Sequence, residues 1–153
     1  MDDLIKRLKT EGKLRDQPVG FVQIEGMMKD ALKDIQEAKA VAEIGERAPF
    51  LLAYQAMLKI GRALLMLQKL RPADGAQHRT VVQVCEVLLG SSFENLAEQF
   101  ETMRRKRNEL LYEFGGLLSS AEIEASLRDA EEWLRVISRK IKEKNPQFEL
   151  PLE

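Results

Sequence analysis

The stretch that decides the fold runs from Ser92 to Phe114 and reads SFENLAEQFETMRRKRNELLYEF. Its apolar residues recur at about 100° per residue, which is typical of one face of an amphipathic α-helix. Arg107 lies near the middle of that face, where a hydrocarbon side chain is expected. Because arginine is rarely buried without a partner, Arg107 is predicted either to be held inside by specific hydrogen bonds or to face a second chain or a polar groove. The apolar residues of the face are Leu96, Phe100, Met103, Leu110, Leu111 and Phe114.

Helical spacing continues on both sides of this stretch, and no segment shows the alternating, β-branched pattern of a strand. We therefore predict an all-α bundle of about five helices, preceded by a short N-terminal helix. Ser119 and Glu122 have the spacing of a capping box, which predicts the start of the last helix. The predicted helices span Asp3 to Glu11, Pro18 to about Ile44, Ala48 to Leu70, about Ala76 to Leu89, Ser92 to Phe114 and Ser119 to about Lys142, with a turn from Arg71 to Gly75.

A length of 153 residues suits one compact domain with a single core. The predicted organisation is a short helix and linker over residues 1–17, the helical bundle over 18–144 and a C-terminal tail over 145–153. The 24 lysine and arginine residues nearly balance the 25 acidic residues, so no global field attracts nucleic acid or an anionic membrane. Any surface that binds nucleic acid is therefore predicted to be local.

The sequence also disfavours several classes of protein. Cys85 is the only cysteine, which excludes an intrachain disulfide and a thiolate metal cluster and fits a reducing compartment. No zinc-protease, dinucleotide-binding, Walker or nucleophile-elbow motif is present, so no metal or cofactor is expected. The most apolar stretch, residues 50–70, is interrupted by Lys59 and Arg62, and the N-terminus lacks the order of a signal peptide. We predict a cytoplasmic location and no membrane partner.

The basic residues of the helix predicted over Ser92 to Phe114 supply the candidate ligand-binding residues. Arg104, Asn108 and Tyr112 are spaced by four residues and therefore lie along one flank of the helix, beside Arg107. For Arg107 two alternatives stay open, a hydrogen-bonded structural anchor or a ligand contact. Both are open because the planar fork of a guanidinium suits carboxylates and phosphates alike.

A plainer interpretation applies to the rest of the run. Arg105 and Lys106 are predicted to be solvated and to pair with Glu101 and Glu109 at helical spacing. Each such pair contributes only about 0.2–0.5 kcal/mol, so these residues are not expected to carry function.

His78 is the only histidine, and it lies near the start of a predicted helix. A single histidine in that position is more often a capping or packing residue than a catalyst. It is nevertheless the only side chain whose ordinary pKa lies near neutrality, so acid–base chemistry at neutral pH would have to consider it.

Four pieces of the sequence carry a resemblance to a known family: the run from Arg104 to Tyr112, Ala53-Tyr54-Gln55-Ala56, Ala63-Leu64-Leu65 and Gly75-x-x-His78. Together they resemble the HEPN superfamily of small helical bundles, in particular its stand-alone prokaryotic branch. The resemblance extends from about Phe21 to Ile141, and the pair Arg107-Asn108 is its most diagnostic part. It implies an up-and-down bundle that forms a homodimer, with the arginine-bearing helices facing the dimer cleft.

Catalytic members of that superfamily are metal-independent ribonucleases that use an arginine and a histidine four to six residues apart. The resemblance assigns the arginine to Arg107 and puts Tyr112 in the position of the histidine. A phenol is a poor general base at neutral pH, because its ordinary pKa is about 10. Some toxin members also carry, two residues later, a tyrosine that a partner nucleotidyltransferase modifies, and here that position is Phe114.

The leading hypothesis is a dimeric binding module for a nucleotide, RNA or an acidic partner, without strong catalysis. The first alternative is a metal-independent ribonuclease, the toxin of a toxin–antitoxin pair with a nucleotidyltransferase partner. In that alternative Arg107 acts with Tyr112 or His78. The second alternative is a structural helical adaptor.

Overall fold

The computed structural model describes residues 2–73 and 77–150. Over these ranges the chain forms an all-α bundle, as the sequence predicts, with one short two-stranded ladder added. The helices are α1 (Asp2–Thr10), α2 (Phe21–Ala40), α3 (Arg47–Leu67), α4 (Gln77–Leu89), α5 (Glu94–Tyr112) and α6 (Ser120–Lys144). The strands are β1 (Leu14–Asp16) and β2 (Leu70–Pro72), and a 3₁₀ turn over Ser91–Phe93 precedes α5.

The central element is α3, which packs against α2, α4, α5 and α6. Gly61 and Ala63 are buried and allow neighbouring helices to approach closely. From α6, the indole nitrogen of Trp133 donates a hydrogen bond to the carbonyl oxygen of Met57 at 3.0 Å in the core. On its more polar side, the ammonium of Lys59 lies 2.7 Å from the carboxylate of Asp34 in α2. The core is therefore built around α3, and both polar contacts help to fix the helices that surround it.

Among the described residues, α3 alone is long and apolar enough to meet the length and composition criteria of a membrane span. The mean hydropathy of its most apolar window is 1.4, and 61% of that window is buried inside the bundle. Because a buried core helix gives the same signal, this feature is weak evidence for a membrane.

The ladder between β1 and β2 was not predicted from the sequence. The two strands pair antiparallel, and a backbone hydrogen bond from the Gln17 N–H to the Lys69 carbonyl (2.8 Å) extends the pairing. Strands of three residues are too short to show a recognisable alternation. The predicted turn is therefore wrong over residues 71–72, while residues 74–76, which complete it and begin the next predicted helix, lie outside the described part of the chain.

The start of α2 also differs from the prediction, since Pro18 precedes the helix instead of forming its first turn. The ladder keeps the chain extended through Gln17, and the helix then begins after Gly20. The Gly20 N–H donates to the side-chain oxygen of Gln23 at 3.0 Å, which satisfies a backbone group at this end of the helix.

Three helices end two or more residues before the predicted residue. Lys69 has a φ of 59°, a left-handed conformation that stops α3 from continuing. Glu113 is extended, which ends α5 one turn before the first of two glycines. The observed and predicted last residues are Ala40 and Ile44 for α2, Leu67 and Leu70 for α3, and Tyr112 and Phe114 for α5.

The predicted capping box of α6 is confirmed. The Ser119 hydroxyl accepts a hydrogen bond from the Glu122 N–H at 3.1 Å, and the Glu122 carboxylate accepts one from the Ser119 N–H at 3.0 Å. These two bonds satisfy backbone groups that the helix itself cannot pair, so they define where α6 begins.

Both ends of the described chain pack against the bundle. Leu8 of α1 and Leu14 of β1 are buried members of the core. Phe148 is buried as well, so the predicted tail docks on the bundle at this residue. Residues 151–153 of that tail lie outside the described part of the chain.

Candidate functional site

The apolar residues on this face of α5 are buried from Leu96 through Leu110 and exposed after that residue. Phe100 and Met103 are buried, whereas Leu111 is 46% exposed and Phe114 is fully exposed. Leu111 and Phe114 therefore lie outside the core, and the helix ends at Tyr112, before Phe114. Arg107 lies between Met103 and Leu110 along this face, and both of these residues are buried.

Arg107 is half-buried, and its partner is a neutral group. One guanidinium nitrogen, Nη1, donates to the side-chain oxygen of Asn108 at 3.2 Å. Within residues 2–73 and 77–150, no carboxylate oxygen lies within 4.0 Å of the guanidinium. Arg107 therefore carries a positive charge that is shielded from solvent and that no described acidic group offsets.

Arg104 differs from Arg107, because Glu101 neutralises it. Its Nε and Nη2 donate to the two carboxylate oxygens of Glu101 at 2.7 and 2.9 Å. These hydrogen bonds lower the pKa of Glu101 and raise that of Arg104. The same carboxylate accepts from Arg105 at 3.0 Å, although the Arg105 side chain is 75% exposed. This is the pairing that the helical spacing predicts.

Lys106 also forms the predicted contact, although it is less solvated than expected. Its ammonium lies 3.8 Å from the carboxylate of Glu109 and 3.7 Å from that of Glu122 in α6. The Lys106 side chain is 19% exposed. Lys106 thus links α5 to α6.

Tyr54 of α3 and His78 of α4 form a direct contact beside Arg107. The Tyr54 hydroxyl lies 3.0 Å from Nδ1 of His78, and their ring centroids are 5.7 Å apart. Tyr54 is buried, and Phe100 of α5 packs on it with a centroid distance of 6.0 Å. His78 is half-buried at the first turn of α4. The imidazole is thereby fixed between three helices.

The environment of His78 is strongly positive. Burial, and after it the nearby positive charges of Arg107, Arg62 and Arg104, together lower its pKa to about 4. The imidazole is consequently neutral at pH 7. We call the set Tyr54, Arg62, His78, Arg104 and Arg107 the basic cluster.

Tyr54 is held in its protonated form. Burial raises its pKa to about 12, which outweighs the opposing influence of the positive charges of Arg107 and Arg104. The phenol therefore remains a hydroxyl at any physiological pH. Its contact with His78 has two forms, because either the hydroxyl donates to Nδ1 or a protonated Nδ1 donates to the hydroxyl oxygen. In the second form, Nε2 of His78 is available to accept a proton.

The structure divides the predicted site residues between two surfaces. Arg104 and Asn108 line a shallow surface cavity of about 440 Å³ along the outer flank of α5, and Tyr112 closes its far end. Tyr112 is 76% exposed and has no hydrogen bond to another described residue. Arg107 does not line that cavity but acts on Tyr54 and His78. Arg104, Asn108 and Tyr112 therefore lie together along one flank, and Arg107 does not line the cavity there.

Two members of the basic cluster were not predicted as site residues. In the sequence, Tyr54 appears only as part of the family resemblance, and Arg62 only as an interruption of the most apolar stretch. Both are polar interruptions of the apolar helix α3, which is the one sequence signal that marks them. Their proximity to His78 depends on how α3 packs against α4, and the sequence does not encode that contact locally.

Cys85 and the acidic residues offer no further chemistry in this region. Burial raises the pKa of the Cys85 thiol, whose sulfur lies 3.6 Å from the carbonyl oxygen of Gly61. In the described ranges, no group of three histidine, cysteine or acidic side chains is arranged to hold a metal ion. Neither a family model nor a curated protein matches the chain. The HEPN resemblance therefore stays a prediction.

Proposed function

We propose that this chain is a binding module that grips a phosphate group of RNA or of a nucleotide at the basic cluster. The observation that carries the proposal is the state of Arg107, a half-buried guanidinium whose described partner is the neutral amide of Asn108. A shielded charge without a counterion is unfavourable, and a bound anion would remove that cost. The planar fork of arginine is suited to two oxygens of one phosphate.

The neighbours of Arg107 support an anionic ligand over a cationic or neutral one. Arg62 and Arg104 add positive potential at His78, and Glu101, the carboxylate that acts on Tyr54, is engaged by Arg104 and Arg105. His78 is neutral at pH 7 and can donate or accept a hydrogen bond without adding charge. The site thus combines the guanidinium of Arg107, which has no described carboxylate beside it, with neutral groups that would orient a ligand.

A homodimer is part of this proposal. Leu111 follows Arg107 by one helical turn, and Leu111, Phe114 and Leu117 are exposed within seven residues of one another. Clustered exposed apolar residues mark interaction surfaces. A second copy covering them would also enclose the open side of Arg107, and this supports a ligand site at the interface.

The test compares Arg107→Gln with Arg105→Gln. Both variants remove one positive charge from the same helix, but Arg105 is largely exposed and lies outside the basic cluster. Binding of fluorescein-labelled single-stranded RNA and of ATP is followed by fluorescence anisotropy and calorimetry. Loss of a charge-assisted contact of about 1.5–3 kcal/mol weakens binding roughly 10- to 100-fold for Arg107→Gln. We expect less than about a twofold change for Arg105→Gln, because exposed charges contribute little.

The proposal fails if Arg107→Gln binds both probes as tightly as the unmodified protein. It also fails if the two variants lose affinity equally, because the binding would then reflect general charge. Unchanged binding together with a lower melting temperature for Arg107→Gln would identify Arg107 as a structural anchor, which is the adaptor alternative. Binding of an acidic protein by Arg107 without binding of either phosphate probe would replace the phosphate proposal with an acidic partner.

A metal-independent ribonuclease is the second candidate, and the observation that favours it is the position of His78. When Nδ1 donates to Tyr54, neutral Nε2 can accept the proton of an RNA 2′-hydroxyl. The 2′-oxygen would then attack phosphorus, and the 5′-oxygen would leave with a proton returned by the imidazolium. Arg107 would stabilise the negative charge on the phosphoryl oxygens. The products would be a 2′,3′-cyclic phosphate and a 5′-hydroxyl.

This candidate is tested by incubating purified protein with single-stranded RNA in the presence of a chelator. Cleavage that leaves cyclic phosphate ends and disappears in both His78→Gln and Arg107→Gln would support it. Tyr112→Phe separates the two catalytic assignments, because its activity is retained if His78 is the base and lost if Tyr112 is. Intact RNA after prolonged incubation would exclude catalysis by the protein alone, and a nucleotidyltransferase encoded next to it would then be the partner to add.

A further inference from the structure

Another cavity, which shares no lining residue with the basic cluster, lies between α6 and the docked tail. It has a volume of about 450 Å³ and is lined from α6 by Arg135, Ser138, Arg139 and Lys142. From the tail it is lined by Phe148, Glu149 and Leu150. None of these residues belongs to the basic cluster or to the outer flank of α5. We call this space the tail cavity.

Three of the lining side chains are cations on one face of α6. Arg135, Arg139 and Lys142 are spaced by four and three residues, so they project in the same direction. Within the described part of the chain none of the three makes a hydrogen bond or an ion pair. Glu149, which is exposed, is the one acidic residue that lines the cavity. The positive charge of the tail cavity therefore exceeds its negative charge by two.

Ser138 adds a neutral donor to this set. Its hydroxyl oxygen is shielded from solvent and has no hydrogen-bond partner among the described residues. A buried hydroxyl without a partner is unfavourable, and an oxygen atom of a ligand that reached it would satisfy it. Ser138 therefore indicates an oxygen-bearing ligand and not a purely apolar one.

The tail side of the cavity is apolar. Phe148 is buried and Leu150 is half-buried, and both face the cations across the space. The volume lies within the range of about 300–1,000 Å³ that is typical of sites for small molecules. A ligand that matched both sides of the cavity would place an anionic group against the cations of α6 and an apolar organic part against the tail.

We propose that the tail cavity binds a small phosphate monoester. Two arginines, a lysine and a serine hydroxyl would hold the phosphate, and Phe148 with Leu150 would contact its organic part. A monoester carries about two negative charges near neutral pH, which matches the charge that the cavity leaves unbalanced. Arginine forks and lysine are the usual donors to phosphate oxygens.

The proposal is tested with phenyl phosphate and inorganic phosphate as probes, using calorimetry and the NMR shifts of the ³¹P nucleus. Phenyl phosphate is expected to bind more tightly than inorganic phosphate, because only the former contacts the apolar wall. Arg139→Gln is expected to weaken both probes by about 10-fold or more, through loss of a charge-assisted hydrogen bond. Leu150→Ser should reduce the affinity for phenyl phosphate to that for inorganic phosphate.

Arg128→Gln is the matched control, because Arg128 is an exposed arginine of α6 that does not line the cavity. It should leave the binding of both probes unchanged. Arg107→Gln should also leave it unchanged, so failure of this site and failure of the site proposed at the basic cluster are distinguishable. The proposal is overturned if neither probe binds saturably, or if Arg128→Gln weakens binding as much as Arg139→Gln.

Discussion

At the scale of single residues, His78 is the group whose charge is most sensitive to its surroundings. Its pKa is lowered to about 4 by burial first and then by three neighbouring guanidiniums, of which Arg107 has the largest effect. Arg107→Gln removes that charge and keeps the side chain polar. We expect the pKa of His78 to rise toward its ordinary value of 6.5, measured from the NMR shifts of the ring carbons. An unchanged pKa would show that Arg107 does not act on the imidazole.

The lowered pKa of His78 also predicts how stability depends on pH. Between pH 6.5 and about 4, the imidazole binds a proton in the unfolded chain but not in the folded protein. The free energy of unfolding therefore falls as the pH decreases through this window. Urea denaturation at several pH values should show a shallower decrease for His78→Gln than for the unmodified protein. Equal slopes in the two proteins would contradict the assignment.

The sequence marks Arg107 as unusual, but it does not show which residues of other helices lie beside it. Arg107 was identifiable because it breaks an apolar pattern that extends along a helix of 19 residues. Tyr54 and His78 are 24 residues apart on different helices, and their contact depends on tertiary packing. Tyr112 was favoured by spacing within one helix, but that spacing does not determine whether the flank is covered. Local periodicity therefore locates an anomalous residue but not its partners.

At the scale of single elements, the cap of α6 contributes a defined amount of stability. Ser119→Ala removes the hydroxyl that accepts from the Glu122 N–H. Loss of such a cap costs about 0.5–2 kcal/mol, which should appear as a lower free energy of unfolding in urea denaturation. Ser120→Ala is the control, because Ser120 begins the helix without a cap bond. A loss of similar size in both variants would argue against the cap.

The junction of α3 with α4 and α5 depends on the absence of a side chain at Gly61. A methyl group there would lie 2.7 Å from Val81 and 3.2 Å from Phe100. Gly61→Ala should therefore separate the helices that hold His78 and Tyr54, at a cost of about 1–3 kcal/mol from overpacking. Gly26→Ala in α2 meets no atom within 4 Å and should stabilise by roughly 0.5–1 kcal/mol through lower chain entropy. Thermal unfolding of the two variants tests the opposite signs.

The sequence predicts correctly that each helix is present, but it predicts the first and last residues of the helices less accurately. The box at Ser119 is a local signal between side chain and backbone, so the sequence locates it correctly. The start of α2 was predicted too early at Pro18, because pairing between β1 and β2 extends the preceding chain. That ladder joins segments more than fifty residues apart, and nothing in either segment indicates its partner. The errors therefore occur where a distant part of the chain decides the local conformation.

At the scale of the whole molecule, the exposed end of α5 argues for a second copy of the chain. Phe114 and Leu117 are 107% and 79% exposed and follow Arg107 by seven and ten residues. Removal from water would stabilise these apolar side chains, and a counterion would stabilise the charge of Arg107. A two-fold interface would remove these side chains from water directly, because it buries the same residues of both chains. It would also narrow the open side of the basic cluster, so that a bound phosphate replaces water as the partner of Arg107.

Sedimentation velocity on variants of this surface tests that argument. Phe114→Ser removes an apolar side chain from each copy, and burial of a large apolar side chain contributes about 1.5–3 kcal/mol. Because both copies lose it, the dissociation constant of the dimer should rise by roughly 100-fold or more. Ile44→Ser is the matched control, since Ile44 is 84% exposed but lies in the turn after α2. A monomeric parent protein at high concentration, or equal dissociation of the two variants, would rule out this interface and leave Arg107 to bind its anion within a single chain.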